Sequence, residues 1–375
     1  MTSGVDSAGE RPLTEPAGRV PPVRIAFGDR PDAPLQLRPG DPPEWHWLTA
    51  VALGARGRYA AAAALLDGLL SGFLDAPGPR RDPGPECAAA RRVVPPRLRA
   101  HAAVTRAAHL RQVGGHLAAR RFDGLGLAIA TVPRSGPGTH SAARRTETAE
   151  PGESEPGLPA PGLDRAAARV DAMLGLAADA IGLADPALAD RLLRAAEPLA
   201  FEHPSWRPGV RWHWVRAELA LSRDLPREAV GWARRALLAA SDAGATRHVL
   251  KSELVLAVAE AGTGTAIAQL VATFAGLSER TRRSGLWTLE WPILLQLANV
   301  VGPVDPVGAH TYRREAAQIV GTIRRHSDPI ARYVLDRSPW VPPPEETELL
   351  HLDPYHPAET RRSAHSSRME CKNKP

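Results

Sequence analysis

The tetrapeptide Trp45-His46-Trp47-Leu48 returns as Trp212-His213-Trp214-Val215, and the alignment continues without a gap from Ala50 on Ala217 to Ala62 on Ala229. A unit that recurs inside one chain cannot bury its apolar face alone; it stacks on its neighbours, so internal similarity constrains the architecture more than any single motif. Both copies read as two helices joined by a tight turn. In the first, Trp45, Leu48, Ala52 and Leu53 form an apolar stripe, Gly54 and Gly57 mark a break, and Ala62, Leu65, Leu66 and Leu69 share one face of the helix that follows. The same periodicity predicts helix pairs at 98–113 with 116–130, 164–181 with 186–199, and 206–222 with 226–240. Two less regular pairs, 246–260 with 265–275 and 284–300 with 307–325, should cap the stack. No stretch alternates with period two over several strands, which argues against a sheet.

Proline and charge punctuate the pattern. Asp41-Pro42-Pro43-Glu44 reads as a helix start, with Asp41 as N-cap and proline in the first turn, and Asp185-Pro186 and Leu225-Pro226 place proline at the start of two second helices. Between helices, residues 133–163 are rich in Pro, Gly, Ser, Thr and charge; such a segment buries too little apolar area to offset its ordering entropy. The expected organisation is a mostly disordered arm over 1–40, helical hairpins over 41–132, a disordered linker over 133–163, further hairpins over 164–328, and an extended or disordered tail over 329–375. Within the arm, Val23-Arg24-Ile25-Ala26-Phe27 is the one apolar run, readable as a strand or a docked segment.

Small residues recur where two helices must cross closely. Ala50, Ala62 and Leu69; Ala107, Ala119 and Gly126; Ala177, Ala189 and Ala196; and Ala217, Ala229 and Ala236 keep one spacing, twelve positions and then seven, with Leu69 the bulky departure. With turn residues Gly57, Gly115, Asp185 and Asp224, this pattern resembles the tetratricopeptide repeat over about 41–130 and 164–240. The units are not evenly spaced, the aromatic positions of that family are mostly Leu or Ala here, and the last two pairs match poorly. The resemblance implies an all-α, α-α superhelix, a tetratricopeptide-like solenoid of helix hairpins.

Composition excludes several classes of function. Forty-seven Lys and Arg against forty-one Asp and Glu give a net charge of +6 and a pI near 9.9, which would ordinarily suggest nucleic acid. The cations are nonetheless almost all arginine, dispersed and interleaved with Asp and Glu, as solvated helix faces are, so nucleic acid is not the expected partner. The longest uncharged run, 261–278, carries Gly262, Thr263, Gly264, Thr265, Gln269, Thr273 and Gly276, too polar for a membrane span of about 20 apolar residues, and residues 1–20 lack the apolar core of a signal peptide. Cys87 and Cys371 form no disulfide framework or zinc site, and a cytoplasmic location is expected. There is no Gly-Lys phosphate loop, no His-Glu-x-x-His helix and no Gly-x-Ser-x-Gly elbow; neither an enzyme nor a metal or cofactor site is expected.

What remains is the first-helix faces. In the family resembled, these helices line a concave groove that binds partner segments. Carried over, its positions fall on Glu44, Trp47 and Val51; His101, Val104 and Ala108; Asp171, Leu174 and Ala178; and Arg211, Trp214 and Glu218. Trp212 and Trp214 point in different directions on one helix, so one of them belongs to the core. Arg247 and Lys251, an i, i+4 pair, share a face near a helix start and could hold a carboxylate or phosphate. The expected contact set is therefore Trp47, His101, Asp171, Arg211, Trp214, Glu218, Arg247 and Lys251. The expected role is a non-enzymatic adaptor holding another protein or peptide segment, the alternative being a regulator of a small anionic ligand or signalling peptide at Arg211, Arg247 and Lys251.

Overall fold

A computed structural model describes residues 19–38, 40–74, 92–132 and 161–342. The repeating unit is the antiparallel helix pair. In chain order these are α2 (Pro43–Ala55) with α3 (Tyr59–Leu70), α4 (Pro96–Gln112) with α5 (His116–Thr131), α6 (Arg165–Gly182) with α7 (Pro186–Glu202), α8 (Trp206–Ser222) with α9 (Pro226–Asp242), α10 (Thr246–Ala261) with α11 (Ile267–Arg283), and α12 (Trp287–Val301) with α13 (Pro306–Arg325). Two single helices flank them, α1 (Pro22–Phe27) and α14 (Pro329–Leu335). The only strand pairing among the described residues is a two-residue antiparallel ladder, β1 (Phe73–Leu74) on β2 (Arg92–Val93).

Local chemistry sets the helix ends. Asp164, Asp185, Asp305 and Asp328 each accept a backbone N–H from the first turn of the helix that follows, satisfying donors that would otherwise have no partner. Proline opens α2, α4, α7, α9, α13 and α14, where its missing N–H costs nothing. Asp41 is not the cap of α2 that the sequence suggests: Pro42 holds that position without a side-chain hydrogen bond, and the Asp41 carboxylate is taken by Arg19 and the Arg38 N–H.

The small-residue pattern is borne out by packing. Every alanine of the four triplets, and Leu69 too, is fully buried where a first helix crosses its second helix. A Cβ on Gly126 would sit 2.7 Å from Val104 Cγ2, so that crossing is closed to any larger residue. Successive first helices α2, α4, α6, α8, α10 and α12 pack side by side, and α5 packs on α6, so the stack runs unbroken past residues 133–160.

The stack also turns back on itself, which local sequence does not reveal. α1 packs on both α2 and α10, α12 meets α2, and α14 meets α4. One apolar core joins Ala55, Tyr59, Leu110 and Ala119 of the early pairs to Leu250, Phe274, Leu294, Ile323 and Leu335 of the late ones. Backbone and side-chain bonds fasten the seam: Thr246 N donates to Gly28 O at 3.1 Å, Ala60 N to His326 O at 2.7 Å and Thr288 Oγ1 to Ala55 O at 3.0 Å. The Arg106 guanidinium grips Asp328 with both Nη atoms, at 3.0 and 2.6 Å.

Two expectations are corrected by this closure. Residues 22–27 are neither strand nor disordered arm but a helix whose Ile25, Ala26 and Phe27 are buried, because α2 and α10 supply the apolar surface that so short a segment lacks alone. Residues 329–335 are not extended tail but α14, capped by Asp328 and buried at Ala331 and Leu335. Residues 133–160 and 343–375, with the linker and the rest of the tail expected there, lie outside the described residues, as do Cys87 and Cys371.

Candidate functional site

Closure fills most of the concave side with the chain itself. Trp47, His101 and Asp171, expected to face a partner, are instead 2%, 1% and 1% exposed. The Trp47 ring lies against Phe27 and His101, and its Nε1 donates to Thr105 Oγ1 at 2.8 Å. His101 sits 3.8 Å from the Asp171 carboxylate and 3.0 Å from the Asp164 carbonyl oxygen. These positions do face inward, as the repeat pattern requires; they are covered because α1 and the neighbouring first helices close over them.

The remaining five residues come together on α8 and α10. Arg207, Arg211, Trp214 and Glu218 fall on one stripe of α8, spaced four, three and four apart. Trp212, two positions off that stripe, is the core member of its pair: it is buried and donates Nε1 to Leu193 O at 3.0 Å. Trp214 is half-buried. Its indole Nε1 donates to Ser252 Oγ at 2.8 Å, its ring stacks on His248 with centroids 5.1 Å apart, and Lys251 Nζ lies 5.7 Å from the ring centroid. Lys251 Nζ also donates to Glu218 Oε1 at 3.0 Å, which ties the two helices together.

Behind this mouth lies a charged interior. Asp171 accepts a hydrogen bond from Arg207 Nη1 at 2.5 Å and forms an ion pair with Arg211, whose Nη1 lies 2.7 Å away, while Arg207 also donates to the carbonyls of Pro161 and Gly162. Burial alone would raise the Asp171 carboxyl, but the two guanidiniums outweigh it and hold it below the usual carboxylate range. Arg111 bridges Asp123 and Asp179, with Nε 2.8 Å from Asp179 Oδ1. Asp123 is pushed well above the usual range, by burial first and with the neighbouring Asp179 adding to it against Arg111. The histidines here are neutral: burial and then the Arg207 charge lower His101 to about 4, burial and then Arg106 lower His109 to about 3, and His248 is lowered by burial and then by Arg247.

Arg247 differs from its neighbours. It is half-buried on the first turn of α10 and makes no hydrogen bond or ion pair among the described residues. Burial, then the nearby Arg211 charge, lower its guanidinium to about 10, with Tyr59 opposing and Arg207 adding to the fall. Arginine stays protonated at that value, so Arg247 carries a charge that no carboxylate among the described residues meets.

Sequence reading missed Arg207, Arg111, Asp123 and Asp179. Arg207 stands four residues before Arg211 and so shares its face, a spacing that could have flagged it; the other three belong to α4, α5 and α6 and meet the network only through packing. On α12, Glu290 and Trp291 are buried and Trp287 packs against the core. The Gly262-Thr263-Gly264-Thr265 turn borders an open cleft of about 360 Å³ between α9 and α10, lined by Arg227, Arg234, Glu260 and Gln269. No group of three or more His, Cys, Asp or Glu among the described residues could hold a metal ion, and no helix there is long and apolar enough to cross a membrane.

No protein-family model matches the sequence, and no curated protein matches it. Similar solved structures include a STAND signal-transduction ATPase with a tetratricopeptide repeat sensor from Pyrococcus horikoshii, at 14% identity over 62% of this chain and 32% of that one, with a TM-score of 0.41. This chain thus spans about a third of that protein. A Rap protein complexed with Competence and Sporulation Factor is similar at 10% identity over 80% of this chain and 75% of that one, TM-score 0.46. Nearly identical TPR-like repeats of a Podosopora anserina putative kinesin light chain are similar at 16% identity over 62% and 95%, TM-score 0.33. The fold itself is an array of stacked helix hairpins, and its small-residue spacing resembles the tetratricopeptide repeat. Within this chain, the four buried small-residue triplets on stacked hairpins express that pattern, and the closed seam distinguishes this array from an open superhelix.

Proposed function

We propose that the chain is a non-enzymatic cytoplasmic adaptor that holds a segment of another protein at the α8–α10 mouth. The observation that carries this reading is the convergence of Arg211, Trp214, Glu218, Arg247 and Lys251 on one half-exposed surface, while the other inward positions are closed off. An aromatic ring with cations beside it, partly desolvated yet reachable, has the composition of an interface hot spot. Trp214 is also fixed in place, by Ser252 on its edge and His248 on its face, so little side-chain entropy is lost when a partner covers it. The described fold contains no cysteine, so it needs no disulfide and suits a reducing compartment.

Affinity capture with the full chain, followed by binding measurements on a captured protein, tests this. Trp214→Ala should weaken binding by 10-fold or more with the helical circular-dichroism signal unchanged, whereas Trp340→Ala, at an exposed tryptophan outside the mouth, should not. Equal binding by wild type and Trp214→Ala refutes the assignment of the mouth.

A further inference from the structure

The charges around the interior do not balance. Arg111, Arg207, Arg211 and Arg247 face Asp123, Asp171 and Asp179, with Asp171 shared by Arg207 and Arg211, and Asp123 and Asp179 both held by Arg111. The other nearby ions are already matched: Lys251 by Glu218 and Arg106 by Asp328. Of the four interior guanidiniums, Arg247 is the one with no carboxylate against it among the described residues. Its cationic neighbours offer no compensation. Arg211 and Arg207 repel it, the Tyr59 hydroxyl is committed to Gln112 Oε1 at 2.9 Å, and the positive end of α10 adds to the repulsion. Yet its side chain is half-exposed beside Trp214 and Lys251, within reach of solvent and of a ligand.

The geometry points to an oxyanion site at Arg247, flanked by Arg211, whose guanidinium fork receives one carboxylate or phosphoryl group. It rests on the proposed function only for the carrier, the anion being a side chain or modification of the segment docked on Trp214; the anion site itself stands on the residues above. A planar guanidinium offers paired parallel N–H donors that match two oxygens of either group. The incoming negative charge supplies the partner Arg247 lacks, so binding should be strongest for a group that brings a full charge and two oxygens, and weak for a neutral amide.

Thermal unfolding of the full chain at fixed ionic strength, in sodium chloride, sodium phosphate or sodium acetate, provides the test. The unfolding midpoint should rise by a few degrees in phosphate or acetate over chloride and level off with concentration, as ligand linkage requires. Arg247→Met should abolish the rise, and in chloride alone it should melt at or above wild type, because a partly buried charge without a partner has been removed. Arg247→Gln, closer in shape and polarity, should do the same if the Met variant folds poorly, and Arg227→Met, at an exposed arginine, should keep the full response. A response to phosphate alone assigns a phosphoryl group; a response to acetate as well assigns a carboxylate. No saturable response in wild type, or one that survives both Arg247 variants, overturns the site. If the anion response stays intact while Trp214→Ala leaves partner binding unchanged, the site stands and only the partner reading falls.

Discussion

Asp328 is the residue through which closure can be weighed. Its carboxylate accepts both Nη atoms of Arg106 and also the backbone N–H groups of Ile330 and Ala331, so it joins α4 to α14 and caps α14 at once. Asp328→Asn keeps the cap but leaves Arg106, whose side chain is 2% exposed, without a counter-charge. Breaking a buried pair from one side costs about 3–5 kcal/mol, and the amide oxygen of Asn can still accept one bond, which places this variant near about 3 kcal/mol. Arg106→Met leaves Asp328 more exposed and still bonded to two N–H groups, so a loss below that range, about 2 kcal/mol, is expected. In the double variant neither charge is stranded, and the loss should fall short of the sum of the singles by about 2 kcal/mol, a coupling well above the scatter of additive sites. Urea unfolding followed by circular dichroism, with coincident tryptophan fluorescence to check that the array melts as one unit, measures all four proteins. Additive losses, within about 0.5 kcal/mol, would show that the pair is not made and that the seam is open.

The hairpins were legible in the sequence because their determinants are local. Ala62, Ala119, Ala189 and Ala229 mark helix crossings whether or not the ends of the array meet, and Asp185-Pro186 starts a helix by capping chemistry alone. Asp328-Pro329 carries the same start signal and could have revealed α14 before the proline-rich tail obscured it. Closure was not legible, since Arg106 and Asp328 stand 222 residues apart and neither is unusual in its own neighbourhood. That one event accounts for the misplaced site residues: Trp47, His101 and Asp171 face inward as the repeat pattern says, but α1 and the neighbouring helices cover them. Arg211, Trp214 and Glu218 share a face of α8, and Arg247 and Lys251 a face of α10, because spacing by three and four within one helix survives any curvature of the stack.

Two other consequences follow from burial. His101 and His109 fold with values of about 4 and about 3, below the 6.5 of the unfolded chain, so the unfolded state binds more protons across that window and stability should fall as pH drops from 6.5 towards 4. At about 1.4 kcal/mol per unit for each fully buried ring, His101 alone contributes a loss of about 3 kcal/mol; equal urea midpoints at pH 6.5 and 4.5 would contradict neutral burial. Gly54 and Gly231 are both helical but not equivalent: a Cβ on Gly54 would fall within the imidazole of His109, whereas one on Gly231 meets nothing within 4 Å. Gly54→Ala should lower stability by about 1–3 kcal/mol through overpacking, and Gly231→Ala should raise it by nearly 1 kcal/mol through helix propensity; thermal melts giving both the same sign would refute the packing of α2 on α4.

The most direct test of closure is whether its two ends can be joined covalently. Ala60 N and His326 O are 2.7 Å apart, so Ala60→Cys with His326→Cys, in a Cys87→Ser/Cys371→Ser background, places two thiols within reach of a disulfide. The closed array predicts a rapid intramolecular cross-link on mild oxidation, seen as a mobility shift of the monomer on a non-reducing gel, with the Ala60→Cys/Ser241→Cys control unlinked. An Ala60/His326 pair that links no faster than that control would mean an open superhelix and would contradict the account.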